Sequence, residues 1–229
     1  MIRLLFNHML CIGLTAVLLS ACDRGGVEVP KPTKRIVILG NSIVAHPPDH
    51  SIGWSGDWGM AASARDSDFV HRLESRIHTI NPETTLQYGS ISPFEREYWH
   101  YDLNQMANYR NADVLIIKIS ENISTDSLAE RQFSLHYENL VQYLAGNGST
   151  PVIICEGFWP SPVNDIIHRF ALSKGYDFVP LQDLYTSDPA NSAKGLFAHA
   201  GVASHPSDLG MKRIADRIWE KLKVKIHKQ

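Results

Sequence analysis

Short apolar segments alternate with longer amphipathic segments along most of this chain. Most of the apolar segments are rich in Val, Ile and Leu, which is typical of buried strands; they are residues 35–39, 85–90, 114–119, 152–155 and 177–180. Between them, apolar residues recur every three or four positions in residues 68–80, 127–145, 162–174 and 208–224, which predicts helices. A further helix is expected over residues 94–111, which are polar and aromatic. Because strand and helix alternate, the pattern predicts an α/β domain with a mainly parallel, five-stranded sheet and helices on both faces.

The first residues have the composition of a targeting segment. Arg3 gives a short positive start, residues 4–19 are mostly apolar, and Leu19-Ser20-Ala21-Cys22 follows. The last four residues resemble the lipobox of bacterial lipoproteins, which implies cleavage before Cys22 and a lipid on its thiol. The alternative is an ordinary secretory signal with an incidental cysteine. The expected divisions are a signal peptide, a flexible tether and a folded domain, at residues 1–21, 22–34 and 35–229.

Length, charge and cysteine content narrow the classes of function. The chain has 229 residues and a net charge of −2 without a basic block, so it suits one sizeable domain and lacks the electrostatic footprint of a nucleic-acid binder. With Cys11 removed and Cys22 acylated, Cys155 is the remaining thiol, so an internal disulfide is excluded. It lies in a predicted strand and is expected to be buried. No Cys/His spacing is typical of zinc binding, and we predict neither a metal nor a cofactor. The histidines considered as ligands are His46, His50, His199 and His205.

Three polar residues are predicted to lie at one edge of the sheet. Ser42 follows the first strand, Asn122 follows the third, and His205 precedes the last helix. Ligands of open α/β sheets bind at the carboxyl ends of the strands, so these side chains can meet there. A serine hydroxyl becomes a nucleophile when a histidine takes its proton, and an asparagine amide can donate to the resulting oxyanion. From the residues alone, turn or cap roles for Ser42 and Asn122 remain open.

Three sequence blocks place these residues in a family pattern. They are Gly40-Asn41-Ser42-Ile43, Ser120-Glu121-Asn122 and Ser204-His205-Pro206, in this order. Together they resemble the SGNH/GDSL hydrolases, a family of esterases, lipases and polysaccharide deacetylases. The resemblance covers residues 35–222 and implies a three-layer α/β/α, flavodoxin-like fold. The implied roles are nucleophile for Ser42, base for His205, and oxyanion donor for Asn122 and the Ser42 backbone N–H.

All three blocks depart from the family pattern, and in the first of them Asn41 stands where many members have Asp. The family usually has an Asp three residues before the His, and Val202 stands there. Either a backbone carbonyl orients His205, or another acid reaches it. Asp208 is nearby, but we interpret it as a helix cap. Ser120 replaces the glycine that usually opens the second of these blocks.

A further departure concerns the oxyanion hole. The family's other donor is a backbone N–H after the second strand, usually of Gly. Pro93 stands at that position, and proline has no N–H. Either Phe94 donates instead, or the hole has only two donors.

Candidate substrate-binding residues lie in two segments near Ser42. The long loop over residues 43–62 carries Trp54 and Trp58, which either bind substrate or cover the domain. Glu95, Arg96 and Glu97 lie in the segment after the second strand, where they either contact substrate or form a solvated face; of these, Glu95 is the candidate substrate-binding residue.

These features together predict an envelope-anchored bacterial serine hydrolase. It would cleave esters, and the preferred substrates are short acyl or acetyl groups on carbohydrate. The lipid on Cys22 would anchor it to the membrane. One alternative is an SGNH-type O-acyltransferase that moves acyl groups onto envelope polysaccharide. Another is a catalytically weak, glycan-binding lipoprotein, which the Val202 and Pro93 departures favour.

Overall fold

The computed structural model describes residues 35–146 and 148–226, so the predicted signal peptide, the tether and the lipidation site Cys22 lie outside the described residues. The strands β1 to β5 are Arg35–Gly40, Thr85–Ser90, Val114–Lys118, Val152–Cys155 and Asp177–Val179. The helices α1 to α7 are Phe69–Ile80, Ser92–Glu97, Phe133–Ala145, Pro162–Lys174, Asp183–Ser187, Ala200–Ala203 and Asp208–Leu222. Short 3₁₀ segments are His50–Ile52, Arg65–Ser67, Leu103–Tyr109, Pro189–Asn191 and Lys223–Lys225.

All five strands are parallel and lie in the order β2-β1-β3-β4-β5. The central β1 pairs Gly40 with Ser90 of β2 on one side and with Lys118 of β3 on the other. The carboxyl ends of these strands therefore lie side by side, which brings together the residues that follow them. The predicted α/β class with a parallel five-stranded sheet is confirmed.

Alternate residues of the strands pack into hydrophobic clusters on opposite faces of the sheet. Ile36 and Ile38 belong to the cluster that α1 and α7 complete, whereas Val37 and Leu39 belong to the cluster of α3 and α4. These aliphatic side chains are fully buried, and each such burial contributes about 1.5–3 kcal/mol. The sheet is thus the middle of three layers. Among the described residues, no helix has the length and apolar character needed to cross a bilayer.

The helix predicted over residues 94–111 is wrong. The segment forms the short α2 and the 3₁₀ stretch Leu103–Tyr109 instead. Asp102 separates them, because its carboxylate accepts from the Asn104 backbone N–H at 3.0 Å and starts a new turn.

The helix predicted over residues 127–145 begins later, at Phe133. Gln132 precedes it with a φ of 51°, a left-handed conformation that a continuous right-handed helix does not contain. The apolar spacing of the segment was a correct indicator of α3 but not of its start.

Candidate active site

Ser42 lies in the tight turn that follows β1. The Asn41 carbonyl closes this turn by accepting from the N–H groups of Val44 and Ala45 at 2.9 and 3.0 Å. The turn places Ser42 Oγ 2.8 Å from Nε2 of His205, which comes from the segment between α6 and α7. Two residues far apart in the chain are therefore within hydrogen-bond distance.

A backbone carbonyl sets the protonation pattern of the imidazole. His205 Nδ1 lies 2.7 Å from the Gly201 carbonyl oxygen, which can only accept, so Nδ1 carries the hydrogen. Nε2 is then free to accept from the Ser42 hydroxyl. His205 is 6% exposed, and this burial lowers its pKa to about 4. The neutral imidazole is the form that can take a proton from Ser42.

No acidic side chain of the described residues performs this orienting role. Asp208, the nearby candidate, accepts from the backbone N–H and the hydroxyl of Ser63 at 2.8 and 2.5 Å. The cap of α7 is Ser207, whose side-chain oxygen accepts from the Gly210 N–H at 3.2 Å. The helix-cap role predicted for Asp208 is therefore wrong, and the backbone carbonyl is the partner of His205.

Trp159 also contacts the imidazole, and sequence reasoning missed it. Its ring meets that of His205 edge to face, with centroids 5.2 Å apart and planes at 88°. The indole N–H donates to the Ser204 carbonyl at 3.0 Å, which holds the ring in place. The available signal was position, since Trp159 follows the carboxyl end of β4 as Ser42 follows that of β1.

A buried carboxylate network lies beneath these residues. Glu95 is 0% exposed and accepts from the Asn41 side chain at 3.1 Å, the Ser120 backbone at 2.7 Å and the Asn122 side chain at 2.5 Å. Because its oxygens face only protein groups, the expectation that Glu95 binds substrate or lies on a solvated face is wrong. It holds the turn after β1 and the turn after β3 to each other.

A second buried acid completes this network. Glu121 forms an ion pair with Lys118 and accepts from the Asn41 side chain at 2.6 Å and the Phe158 N–H at 2.7 Å. Burial acts to raise the pKa of Glu121, but the Lys118 charge and the donated hydrogen bonds outweigh it, so the net direction is downward. For Glu95, burial and then the Glu121 charge raise the pKa.

A cavity of about 310 Å³ opens beside Ser42. Asn122 lies on its wall together with His205, so the three candidate residues share one space. The Asn122 amide is oriented from both ends, since Nδ2 donates to Glu95 and Oδ1 accepts from Arg96 at 3.4 Å. The other residues of the wall are His46, Pro47, Ile52, Met60, Ser90, Ser92, His199, Gly201 and Val202.

Comparison with known proteins places this arrangement in a fold class. No family model matches the chain, and no curated protein matches it. A two-domain esterase active on acetylated mannans is similar in structure, with 20% identity, a TM-score of 0.54, and coverage of 84% of this chain and 49% of that one. The present chain thus spans about half the length of that esterase.

Two further structures are matched over nearly their whole length. A protein described as a GDSL-like lipase from Parabacteroides merdae shares 17% identity at a TM-score of 0.55, covering 85% of this chain and 97% of that one. An acetyl xylan esterase shares 15% identity at a TM-score of 0.53, covering 82% and 99%. The fold is that of the SGNH hydrolases. At these identities, the likeness establishes architecture.

Ser120, which stands where the family usually has glycine, fits into this fold through its hydroxyl group. Its hydroxyl donates to Asn164 Oδ1 at 2.7 Å in a buried position. The same Asn164 oxygen accepts from the Gly157 N–H at 3.0 Å. Ser120 therefore links the turn after β3 to the segment after β4.

Pro93, which stands where the resemblance implies a backbone donor, lies in the first turn of α2. Phe94 is buried and is not part of the cavity wall, whereas Ser90 and Ser92 line it. Their hydroxyl oxygens are 3.1 Å apart. Ser90 and Ser92, rather than Phe94, therefore line the space beside Ser42.

The two tryptophans of the loop between β1 and α1 are covering residues. Trp54 is 3% exposed, packs edge to face on Trp58 with centroids 5.7 Å apart, and donates to the His46 carbonyl at 3.2 Å. Trp58 donates to the Ala62 carbonyl at 3.0 Å. Neither ring is among the described residues that line the cavity, which favours the covering alternative for both. They hold the loop that presents His46.

Other nucleophile and metal readings find no support in the described part of the chain. No three His, Cys, Asp or Glu side chains there are grouped to hold a metal ion. Cys155 is fully buried, and burial raises its pKa to about 12, which removes it as a nucleophile.

Proposed function

We propose that this protein is an SGNH-type serine hydrolase that cleaves esters of short acyl groups. The observation that carries the proposal is the 2.8 Å contact between Ser42 Oγ and a neutral, buried His205 whose Nδ1–H is held by a backbone carbonyl. Asn122 on the same cavity wall supplies an amide donor for a developing oxyanion.

In the proposed reaction, Ser42 Oγ attacks the ester carbonyl carbon while His205 Nε2 takes the hydroxyl proton. The carbonyl oxygen becomes an oxyanion that the Asn122 amide and the Ser42 backbone N–H stabilise. As the tetrahedral intermediate collapses, the C–O bond to the alcohol breaks and the imidazolium returns the proton to the alcohol oxygen. A water molecule then attacks the acyl-enzyme with His205 as base, releasing the acid and regenerating Ser42.

Two lines support a short acyl group carried by a carbohydrate. The cavity volume of about 310 Å³ suits a small group rather than a long chain. Structural neighbours include an esterase active on acetylated mannans and an acetyl xylan esterase. For the location, we propose the bacterial envelope with a lipid on Cys22, supported by the Leu19-Ser20-Ala21-Cys22 block.

The test is active-site labelling of the full chain in detergent with a fluorophosphonate probe, read by intact mass. We expect one adduct on the parent, none on Ser42→Ala, and slow labelling of His205→Ala. Ser92→Ala is a matched control, because it removes a hydroxyl from the same cavity wall but not the one beside His205; it should still be labelled. Release of acetate from acetylated xylan or mannan oligosaccharides then tests the substrate class.

A folded parent that gains no adduct would contradict the proposal. Labelling that persists in Ser42→Ala would contradict the assignment of the nucleophile.

A further inference from the structure

The cavity beside Ser42 is lined by basic side chains without acidic ones. Arg96, His46 and His199 are on its wall, and none of the described residues on that wall is Asp or Glu. The acids bonded to the residues beneath the cavity are Glu95 and Glu121; their side chains are buried and accept hydrogen bonds from protein N–H groups. A ligand in the cavity therefore meets positive charge and hydrogen-bond donors.

Arg96 has most of its hydrogen-bonding capacity free. The one hydrogen bond of its side chain within the described residues goes from Nη2 to the neutral Asn122 side-chain oxygen at 3.4 Å. Among those residues, the Arg96 side chain forms no ion pair with a carboxylate. By contrast, Arg213 and Arg217 on α7 pair with Asp188 and Asp183. A guanidinium carries five N–H donors in a planar fork that matches a carboxylate.

The apolar part of the cavity wall is formed by other segments of the chain than the helix that carries Arg96. Ile52, Met60 and Val202 belong to one hydrophobic cluster, whereas Arg96 lies on α2 against Asn122. A short acyl group is apolar and fits the apolar wall. The alcohol part of the ester is then left toward Arg96.

We propose that the substrate is an ester whose alcohol part carries a carboxylate, as in an acylated acidic sugar, and that Arg96 binds this carboxylate. The inference rests on the proposed hydrolase function and narrows its substrate class. Arg96 acts as a specificity residue, pairing through its guanidinium with a group that is not itself transformed.

The experiment compares two esters that differ only in charge, 3-acetoxybenzoate and 3-acetoxybenzamide. The full-length parent should have the higher kcat/KM for the carboxylate. In Arg96→Gln, kcat/KM should fall about five- to tenfold further for the carboxylate than for the amide, mainly through KM. Arg169→Gln is the control, since it removes one positive charge from an exposed position outside the cavity and should leave the ratio unchanged.

Three outcomes decide the matter. A parent that is labelled at Ser42 but shows no preference for the carboxylate would overturn the inference while the hydrolase function stands. An equal loss on both esters in Arg96→Gln would also overturn it, since Arg96 would then serve the reaction centre or the fold. If Ser42 is not labelled, the proposed function fails, and NMR titration of 3-acetoxybenzoate into Ser42→Ala and into the Ser42→Ala/Arg96→Gln double variant decides the Arg96 site by whether binding weakens.

Discussion

The pH dependence of Ser42 labelling tests the environment of His205. An ordinary histidine has a pKa near 6.5, whereas burial lowers the pKa of His205 to about 4. No carboxylate of the described residues bonds to the ring to offset this, because Nδ1 faces the Gly201 carbonyl. The labelling rate requires neutral His205 and should follow its neutral fraction.

A lowered and an ordinary pKa of His205 predict very different changes in the labelling rate between pH 7.5 and pH 5.5. With a pKa of about 4, about 97% of His205 is neutral at pH 5.5, so the labelling rate should stay nearly constant. With a pKa of about 6.5, roughly 9% would be neutral and the rate would drop about tenfold. Second-order labelling rates across pH 4–8, with circular dichroism as a check on folding, separate the cases. A midpoint near pH 6.5 would refute the reasoning.

The same shift predicts a loss of stability in acid. Between pH 6.5 and about 4 the unfolded chain binds a proton at His205 that the folded chain does not, so the free energy of unfolding falls as the pH falls through this window. The size is roughly 3 kcal/mol, from 1.36 kcal/mol for each unit of pKa. Urea denaturation at pH 7 and pH 4.5 should show most of this loss in the parent and a smaller loss in His205→Gln.

Other variants test the supporting structure. Glu95→Gln places an amide N–H donor where the Glu95 carboxylate accepts hydrogen bonds, so it should lower the free energy of unfolding by about 1–3 kcal/mol and slow labelling. The control is Glu97→Gln at an exposed position of the same helix, which should change neither quantity. Equal effects of the two substitutions would contradict the role of the buried network. A Cβ at Gly40 would overlap the Lys118 carbonyl oxygen, so Gly40→Ala should lose about 1–3 kcal/mol in urea denaturation, and full stability would be the contrary result. Trp54→Ala should lower the free energy of unfolding by about 3–5 kcal/mol, and with it the melting temperature, without changing the preference between the two acetoxy esters. A changed preference would instead indicate that Trp54 contacts substrate.

Strands β1, β3 and β4 were predictable because each is a short apolar run, a pattern that does not depend on the partner strands. All five predicted strands occur, and no end differs from the predicted one by more than one residue. The break in the segment 94–111 was not predictable in the same way, since there the Asp102 carboxylate accepts a hydrogen bond from the Asn104 backbone N–H and a new turn starts.

At the site, the positions of Ser42, Asn122 and His205 relative to the predicted strands and helix were enough to predict that the three residues lie close together. In a parallel sheet the topology sends the carboxyl ends of β1 and β3 to one edge, whichever side chains they carry. The roles of Glu95, Trp54 and Trp58 could not be predicted, because a side chain near a site in sequence faces inward or outward according to packing that composition does not reveal.

The sequence by itself determined the alternation of strand and helix, the parallel sheet, and the candidate chemistry at its edge, since local periodicity and connectivity suffice for these. Only the tertiary structure decided which group orients His205, which carboxylates are buried, and that Arg96 on the cavity wall has no carboxylate partner among the described residues. Those answers depend on distances of a few ångströms between residues as far apart as Asn41 and Glu121, and hydrogen bonding and desolvation act over that range.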